Sequence, residues 1–262
     1  MKRLLLLLSV IIGSCNSKEK VSYIDLTPAE FRLRLAACPV AYLPMGTLEY
    51  HGEHLPLGTD GFESVGFFEK LAAENGGIVL PMLFIGPDRD TIVDGKEYYG
   101  MENSIRFVHN YPVQQLAGGA YHVDDTVFDV MMHGIMKQLS RAGFRIVVAH
   151  GHYNSSLYID THKQIFKEKY NLVVMNCWGN DSADYCLMCD HAAANETSLM
   201  MYLKPELVRM DNLSSDTTQW PLGLLGQDPR SHASKEFGSN IVEFELKKMS
   251  ALIAAEVAKI RK

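Results

Sequence analysis

Apolar and polar positions follow two rhythms along the chain, and their order predicts the architecture. Short apolar runs at 40–45, 78–82, 144–149 and 172–175 read as buried strands. Between them lie segments with helical spacing. Thr27 can cap, Pro28 suits a first helical position and Glu30 completes a capping box, so a helix is expected over 28–37, ending near Cys38-Pro39. Over 61–75, Phe62, Val65, Phe68 and Leu71 fall along one face, and Asn75-Gly-Gly77 ends the helix. Asp125 or Thr126 caps a helix to Ala142, with Gly143 as its stop. Further helices are expected over 157–168 and 239–260, the last with Val242, Leu246, Met249, Ile253 and Val257 spaced to face a core. Strand–helix–strand alternation of this kind implies an α/β fold, a mostly parallel sheet with helices on both faces. The stretch 84–123 is rich in Gly, Pro, Tyr and Asn with weak periodicity and reads as long loops with room for a strand. No internal repeat or dividing linker is visible, so residues 23–262 are expected to form a single domain.

Composition narrows the class. With 262 residues, 47% hydrophobic and 21% charged, the chain is neither a disordered tail, a collagen-like repeat nor a disulfide-stapled miniprotein. A formal net charge of −6 supplies no electrostatic footprint for nucleic acid or an anionic membrane, which leaves a small molecule as the expected partner. The N-terminus changes the picture further. Met1-Lys-Arg, an apolar run over 4–12 and Gly13-Ser14-Cys15 describe a secretory signal, and the run is too short for a mature membrane span of about 20 residues. Ile12-Gly-Ser-Cys15 resembles a bacterial lipobox, with Cys15 lipidated and 16–22 serving as a tether. The expectation is an exported protein facing the periplasm or cell surface, touching the membrane only through that lipid; an ordinary cleaved signal with an incidental Cys15 is the alternative. Four other cysteines remain, Cys38, Cys177, Cys186 and Cys189. Cys186-Leu-Met-Cys189 is open to a disulfide, free thiols or a place in a site lining.

The densest chemistry follows the first strand. Glu49 and His51 lie two apart, so in extended geometry both project to one face, and Asp60 lies beyond a Pro/Gly-rich turn that can fold it back. Carboxylate with imidazole suits Zn, Mn or Fe(II) better than Ca. His152 closes another strand at its carboxyl end, where open α/β sheets place their sites, and Asp190, His191 and Glu196 add a third cluster. Taken singly, each of these residues has a bland explanation as a surface hydrogen bond or packing group. Together they point to a metal hydrolase.

Three segments, in order, carry a resemblance: Leu43-Pro-Met-Gly-Thr-Leu-Glu-Tyr-His-Gly-Glu-His-Leu-Pro-Leu-Gly-Thr-Asp60, Gly143-Phe-Arg-Ile-Val-Val-Ala-His-Gly-His-Tyr-Asn154, and Asp190-His191 followed by Glu196-Thr-Ser198. They resemble the creatininase (creatinine amidohydrolase) family over essentially the whole mature chain. The resemblance implies a Rossmann-like three-layer α/β/α sandwich, a homohexamer, and two divalent metal ions acting on cyclic amide, lactam or formamide-type carbon–nitrogen bonds. It also implies that Glu49 and His152 hold one metal, His51 the other, and that Asp60 bridges them. His191 matches the family's substrate-side histidine, a proton shuttle to the leaving nitrogen. His54 would orient a ligand from behind, or simply pack. Tyr153 and Asn154 would line the substrate.

The chain leaves the family pattern in two places. Asn154 stands where creatininase itself has a glutamate ligand of the second metal, so that metal is either loosely held or served by another carboxylate, with Glu196 the candidate; Glu196 as a helix cap or a support behind the ligands is the alternative. Leu187 and Met188 stand where creatininase has a substrate-facing Trp-Asp pair, so a different substrate is expected. Trp220 is open to a lid or a packing role. Two other functions stay in play: a metal-dependent hydrolase or isomerase of an oxidised sugar or cyclitol, and a lipid-anchored metal-containing binding protein without turnover.

Overall fold

The computed structural model describes residues 19–109, 111–177 and 186–261. The signal segment, Cys15 and residues 16–18 of the tether lie outside them. Among the described residues six strands are formed: β1 (Val40–Pro44), β2 (Ile78–Val79), β3 (Asp90–Val93), β4 (Lys96–Tyr99), β5 (Ile146–His150) and β6 (Val173–Asn176). Eight helices accompany them: α1 (Pro28–Ala37), α2 (Thr59–Asn75), α3 (Met101–His109), α4 (Asp125–Ala142), α5 (Tyr153–Tyr170), α6 (Ala194–Leu203), α7 (Pro229–His232) and α8 (Lys235–Ile260). The main sheet is parallel in the order β2-β1-β5-β6.

Alternate residues of the central strands feed two separate cores, as period-two geometry requires. Val40, Tyr42, Ile146 and Val148 pack with Phe67, Phe68 and Leu71 of α2, Leu199 of α6 and Ile241, Val242, Met249 and Ile253 of α8. Ala41, Leu43, Val147 and Ala149 pack on the opposite face with Phe128, Met132 and Met136 of α4, Ile159 and Phe166 of α5, and Phe31 and Leu35 of α1. This is the expected three-layer α/β/α sandwich. The first helix also starts as its sequence demands: the Thr27 hydroxyl accepts from the Glu30 amide at 3.3 Å, and the Glu30 carboxylate accepts from the Thr27 amide at 2.7 Å.

Several elements depart from the sequence pattern. Helix α2 begins at Thr59, and Phe62 and Val65 are only half-buried; its inward face carries Asp60, Glu63, Ser64, Phe67 and Phe68. Polar side chains turn inward there because that face borders a polar site. Helix α4 takes Asp124 as its N-cap position, and α5 starts at Tyr153, four residues before the apolar spacing becomes visible. β2 is limited to two residues, and α8 opens at Ser234, whose hydroxyl accepts from the Phe237 amide. The segment read as loops contains helix α3 and an antiparallel hairpin, β3–β4, turning at Asp94-Gly95 with φ of 51° and 77°. Asp-Gly between strands is a recognised hairpin signal, since both positions need positive φ. Helix α6 lacks a clear apolar stripe, because its buried residues mix polar Asn195, Glu196, Thr197 and Ser198 with Ala194, Leu199 and Met200.

Candidate metal centre and active site

Strand register brings the two motif loops together. Pro44 pairs with His150, so the chain leaves β1 and β5 side by side at the carboxyl edge of the sheet. The Met45 amide donates to the His150 carbonyl at 2.8 Å. Gly151 follows with φ +155°, and a Cβ there would collide with the Met45 carbonyl, so the close approach of the two loops depends on glycine. Gly46 sits similarly tight, where a Cβ would lie 2.8 Å from the Gly61 amide nitrogen of α2. The loop after β1, the first turn of α2 and the loop after β5 thereby converge.

Their side chains meet in one buried cluster. Asp60 reaches two ways: Oδ1 lies 3.0 Å from His51 Nε2, and Oδ2 lies 3.1 Å from His152 Nδ1. Glu49 Oε1 lies 3.2 Å from His152 Nδ1, 3.7 Å from His191 Nδ1 and 4.0 Å from His51 Nε2. Glu196 Oε2 lies 3.7 Å from His51 Nε2 and also accepts from the Ala192 amide at 2.6 Å, so it serves the helix start and the cluster together. Three overlapping triads follow, each with ligand atoms within 4.8 Å of one another: Glu49, Asp60 and His152; His51, Asp60 and Glu196; Glu49, His51 and His191. The expected site residues Glu49, His51, Asp60, His152, His191 and Glu196 are thus all in one place.

Backbone contacts orient the rings. His51 Nδ1 donates to the Glu49 carbonyl at 3.1 Å, which leaves Nε2 with its lone pair toward Asp60 and Glu196. His191 Nε2 donates to the Tyr50 carbonyl at 2.8 Å, which leaves Nδ1 toward Glu49, and its ring stacks on His51 at 4.4 Å. His54 Nε2 reaches the Thr197 hydroxyl at 2.8 Å, so it braces the residue next to Glu196 and touches no member of the triads directly. Asp190 accepts from the Asn195 and Glu196 amides and ties the start of α6 to the His191 loop.

Charge in this cluster is far from ordinary. Burial opposes ionisation of Glu49, but the charges of His152, His191 and His51 hold its carboxyl down at about 2. At Asp60, His51 and His152 outweigh burial and keep it below the usual carboxylate range. Burial works against a protonated His51, yet Asp60 and Glu49 push it up to about 9. His152 is likewise raised, against burial, by Glu49 and Asp60. Glu196 moves the other way: burial, then the Asp60 and Asp190 charges, push its carboxyl well up. So does Glu63, one turn after Asp60, fully buried with neither carboxylate oxygen hydrogen-bonded. Glu49 Oε1 is also buried without a hydrogen bond despite three imidazoles around it. Buried carboxylate oxygens without a hydrogen bond, beside three convergent ligand sets, fit a cation, and the mixed carboxylate–imidazole donor set fits Zn, Mn or Fe(II).

A cavity of about 210 Å³ opens onto this cluster, with Tyr153, Asn154, Met188 and Arg89 in its wall. Tyr153 and Asn154 therefore lie where substrate would. Asn154 donates its amide to Asp88 Oδ1 at 2.9 Å, and the same carboxylate oxygen lies 3.6 Å from His152 Nε2. Of the two substituted recognition positions, Met188 faces the cavity, while Leu187 belongs to the core. Between their neighbours, Cys186 and Cys189 form a disulfide; Cys38 and Cys177 are buried free thiols. Trp220 packs against a satellite core with Leu55, Met200 and Leu224, donating to the Leu224 carbonyl, and does not line the cavity. Sequence reading missed Glu63, Asp88 and Arg89. The first is camouflaged in a helix, and the other two lie in a stretch without periodicity.

Fold and site together define a metal-dependent hydrolase of the amidohydrolase type. The family profile described as "Creatininase: Creatinine amidohydrolase" matches residues 24–253, and the chain belongs to that family. Creatinine amidohydrolase of Pseudomonas putida is 27% identical over 217 residues, covering 72% of this chain and 74% of that protein. The mycofactocin precursor peptide peptidase of Mycolicibacterium smegmatis is 24% identical over 184 residues, covering 69% of this chain and 64% of that one. A solved creatininase superposes with a TM-score of 0.69 over 92% of this chain and 99% of its own, at 24% identity, a likeness of fold. Others of that group are described as creatininase Mn and as Zn-Zn type.

Proposed function

We propose that this protein hydrolyses a carbon–nitrogen bond of the cyclic amide, lactam or formamide kind in a small polar substrate, using a pair of divalent ions. The observation that carries the proposal is the two-way reach of Asp60, whose two oxygens face separate buried ligand sets. On this reading Glu49, Asp60 and His152 hold one ion, and His51, Asp60 and Glu196 hold the other. Zn or Mn is favoured by the family's solved members and Fe(II) by donor chemistry alone. Bound there, such a pair supplies a water that is nucleophilic near neutral pH and polarises the scissile carbonyl.

The chain's own groups do the rest. His191 is fixed by its Nε2–H bond to the Tyr50 carbonyl, so its free Nδ1 can take a proton and pass it to the leaving nitrogen. Burial and the His51 charge lower its proton affinity, which keeps the ring neutral and ready to accept. Asp88 engages Asn154, so Asn154 is turned from the ligand cluster and Glu196 takes the remaining ligand position. Met188 and Leu187 in place of a Trp-Asp pair argue for a substrate other than creatinine. The N-terminal signal is read as an export and lipidation signal at Cys15, and the assembly as a homohexamer, both by resemblance.

Metal analysis tests the core of this reading. Protein purified without chelator should carry close to two ions per chain, and Asp60→Asn should lose both, because that carboxylate serves each set. Retention of full occupancy by Asp60→Asn would overturn the ligand assignment. Turnover is sought with a panel of lactams, formamides and oxidised sugars; activity on the sugars alone would move the reaction away from C–N cleavage.

A further inference from the structure

We infer that Arg89 forms a carboxylate-binding subsite at the wall of the active-site cavity, and that the substrate is an amide bearing a carboxylate away from the scissile bond. The inference deepens the hydrolase reading above and rests on it for the reacting end of the substrate. Among the described residues lining the cavity, Arg89 is the only Lys or Arg, in a wall that otherwise presents Glu49, Asp60, Asp88, Asp190 and Glu196. Each of those carboxylates meets a partner through at least one oxygen, the histidines for Glu49 and Asp60, Asn154 for Asp88, and backbone amides for Asp190 and Glu196, while Glu49 Oε1 and Asp88 Oδ2 carry no hydrogen bond. The Arg89 guanidinium is in no ion pair among the described residues. It lies over the Tyr153 ring, 5.6 Å from the centroid, which steers a flexible side chain beside the residue that follows His152.

Its backbone is anchored to the same frame. The Arg89 amide donates to Asp88 Oδ1 at 2.7 Å, the oxygen that also takes the Asn154 amide, and the Arg89 carbonyl accepts from Gly100 at 2.8 Å. Arg89 is an exposed residue with a fixed backbone, and its guanidinium is a planar fork that matches a carboxylate in two parallel hydrogen bonds. Met101, Met188 and Leu225 also line the cavity and carry no charge for such a group, while Ser104, Tyr153 and Asn154 add neutral polar side chains. A substrate lying across about 210 Å³ would place its amide at the histidine–carboxylate cluster and its carboxylate at Arg89.

Matched pairs differing by one carboxylate test this: 5-oxoproline against 2-pyrrolidinone, and N-formylglycine against N-methylformamide. Binding is measured by calorimetry on the metal-loaded protein, with turnover recorded in parallel. The carboxylated member of a pair should bind at least tenfold tighter, and Arg89→Gln should erase that preference, a loss of about 10- to 100-fold, while leaving the neutral member unaffected. Arg89→Lys should restore part of it. Equal binding within every pair, a preference that survives Arg89→Gln, or failure of every carboxylated member to bind would each overturn the subsite. Turnover of neutral amides alone would do so while leaving the hydrolase reading standing. Tight Arg89-dependent binding without turnover would keep the subsite and sink the reaction.

Discussion

Glu63 is the residue whose state is most sensitive to its surroundings. It is fully buried, its two oxygens make no hydrogen bond, and burial followed by the Glu196 and Asp60 charges raises its proton affinity well above normal. In the folded protein it keeps its proton; in the unfolded chain it loses it above about pH 4.5. At this group the native state therefore binds more protons, and the contribution of Glu63 to stability falls as pH rises from that point, by at most about 1.4 kcal/mol per pH unit until the folded-state value is passed. Glu63→Gln removes this dependence. With chelated protein, its melting temperature should match wild type near pH 5 and exceed it increasingly toward pH 8. Parallel pH profiles for the two proteins would show that Glu63 is ionised in the fold. Glu49, His51, Asp60, His152, His191 and Glu196 were visible in the sequence because carboxylate and imidazole at set spacing after a strand are uncommon. Glu63 was not, since its distance to Glu196 is invisible in a pattern that runs only along α2.

At the scale of elements, the site depends on where three segments stop and start. β1 and β5 end in register, α2 begins one residue before Asp60, and α5 begins one residue after His152. Gly151 lets the loop after β5 cross the loop after β1, with a backbone conformation that L side chains rarely adopt and no room for a Cβ. Gly151→Ala should cost about 1–3 kcal/mol in strain alone, more once the Met45 carbonyl is displaced, and should move His152 away from Asp60. Thermal unfolding and metal content together check this: a lower melting temperature with lost metal is expected, and an unchanged pair of values would refute the crossing. The strands of the main sheet and most helices follow from apolar spacing and caps, which act locally. Helix α6 has no such stripe, since its inward residues pair Leu199 and Met200 in the cores with polar contacts to Asp190, His54 and Ser234.

For the whole molecule, the two hydrophobic cores lie on either side of the sheet, and the charged cluster sits at its carboxyl edge. Raised carboxylates and raised histidines are buried side by side there, so much of the local energetics awaits a cation. Any ion that binds only the folded state stabilises it by mass action, about 2.7 kcal/mol at a hundred times its dissociation constant. For a domain of this size that corresponds to a rise of about 5–10 °C in melting temperature. Chelation should therefore lower the melting point by several degrees and re-addition of Zn or Mn should restore it; a curve indifferent to chelator would mean that the cluster holds no metal.

The sequence by itself determined the α/β class, the four strands of the main sheet, the capping of α1 and the identity of six clustered ligand or acid–base candidates. These rest on chemistry that acts between near neighbours or on motifs whose residue types are demanding. Only the tertiary structure decided which groups meet across long separations: Glu196 with His51, Asp88 with Asn154, Arg89 over Tyr153, and Glu63 with the Glu196 charge. It also decided that Met188 faces the cavity while Leu187 packs in the core. Those outcomes depend on strand register and on the way helices rotate against the sheet, which are set by the packing of both cores at once.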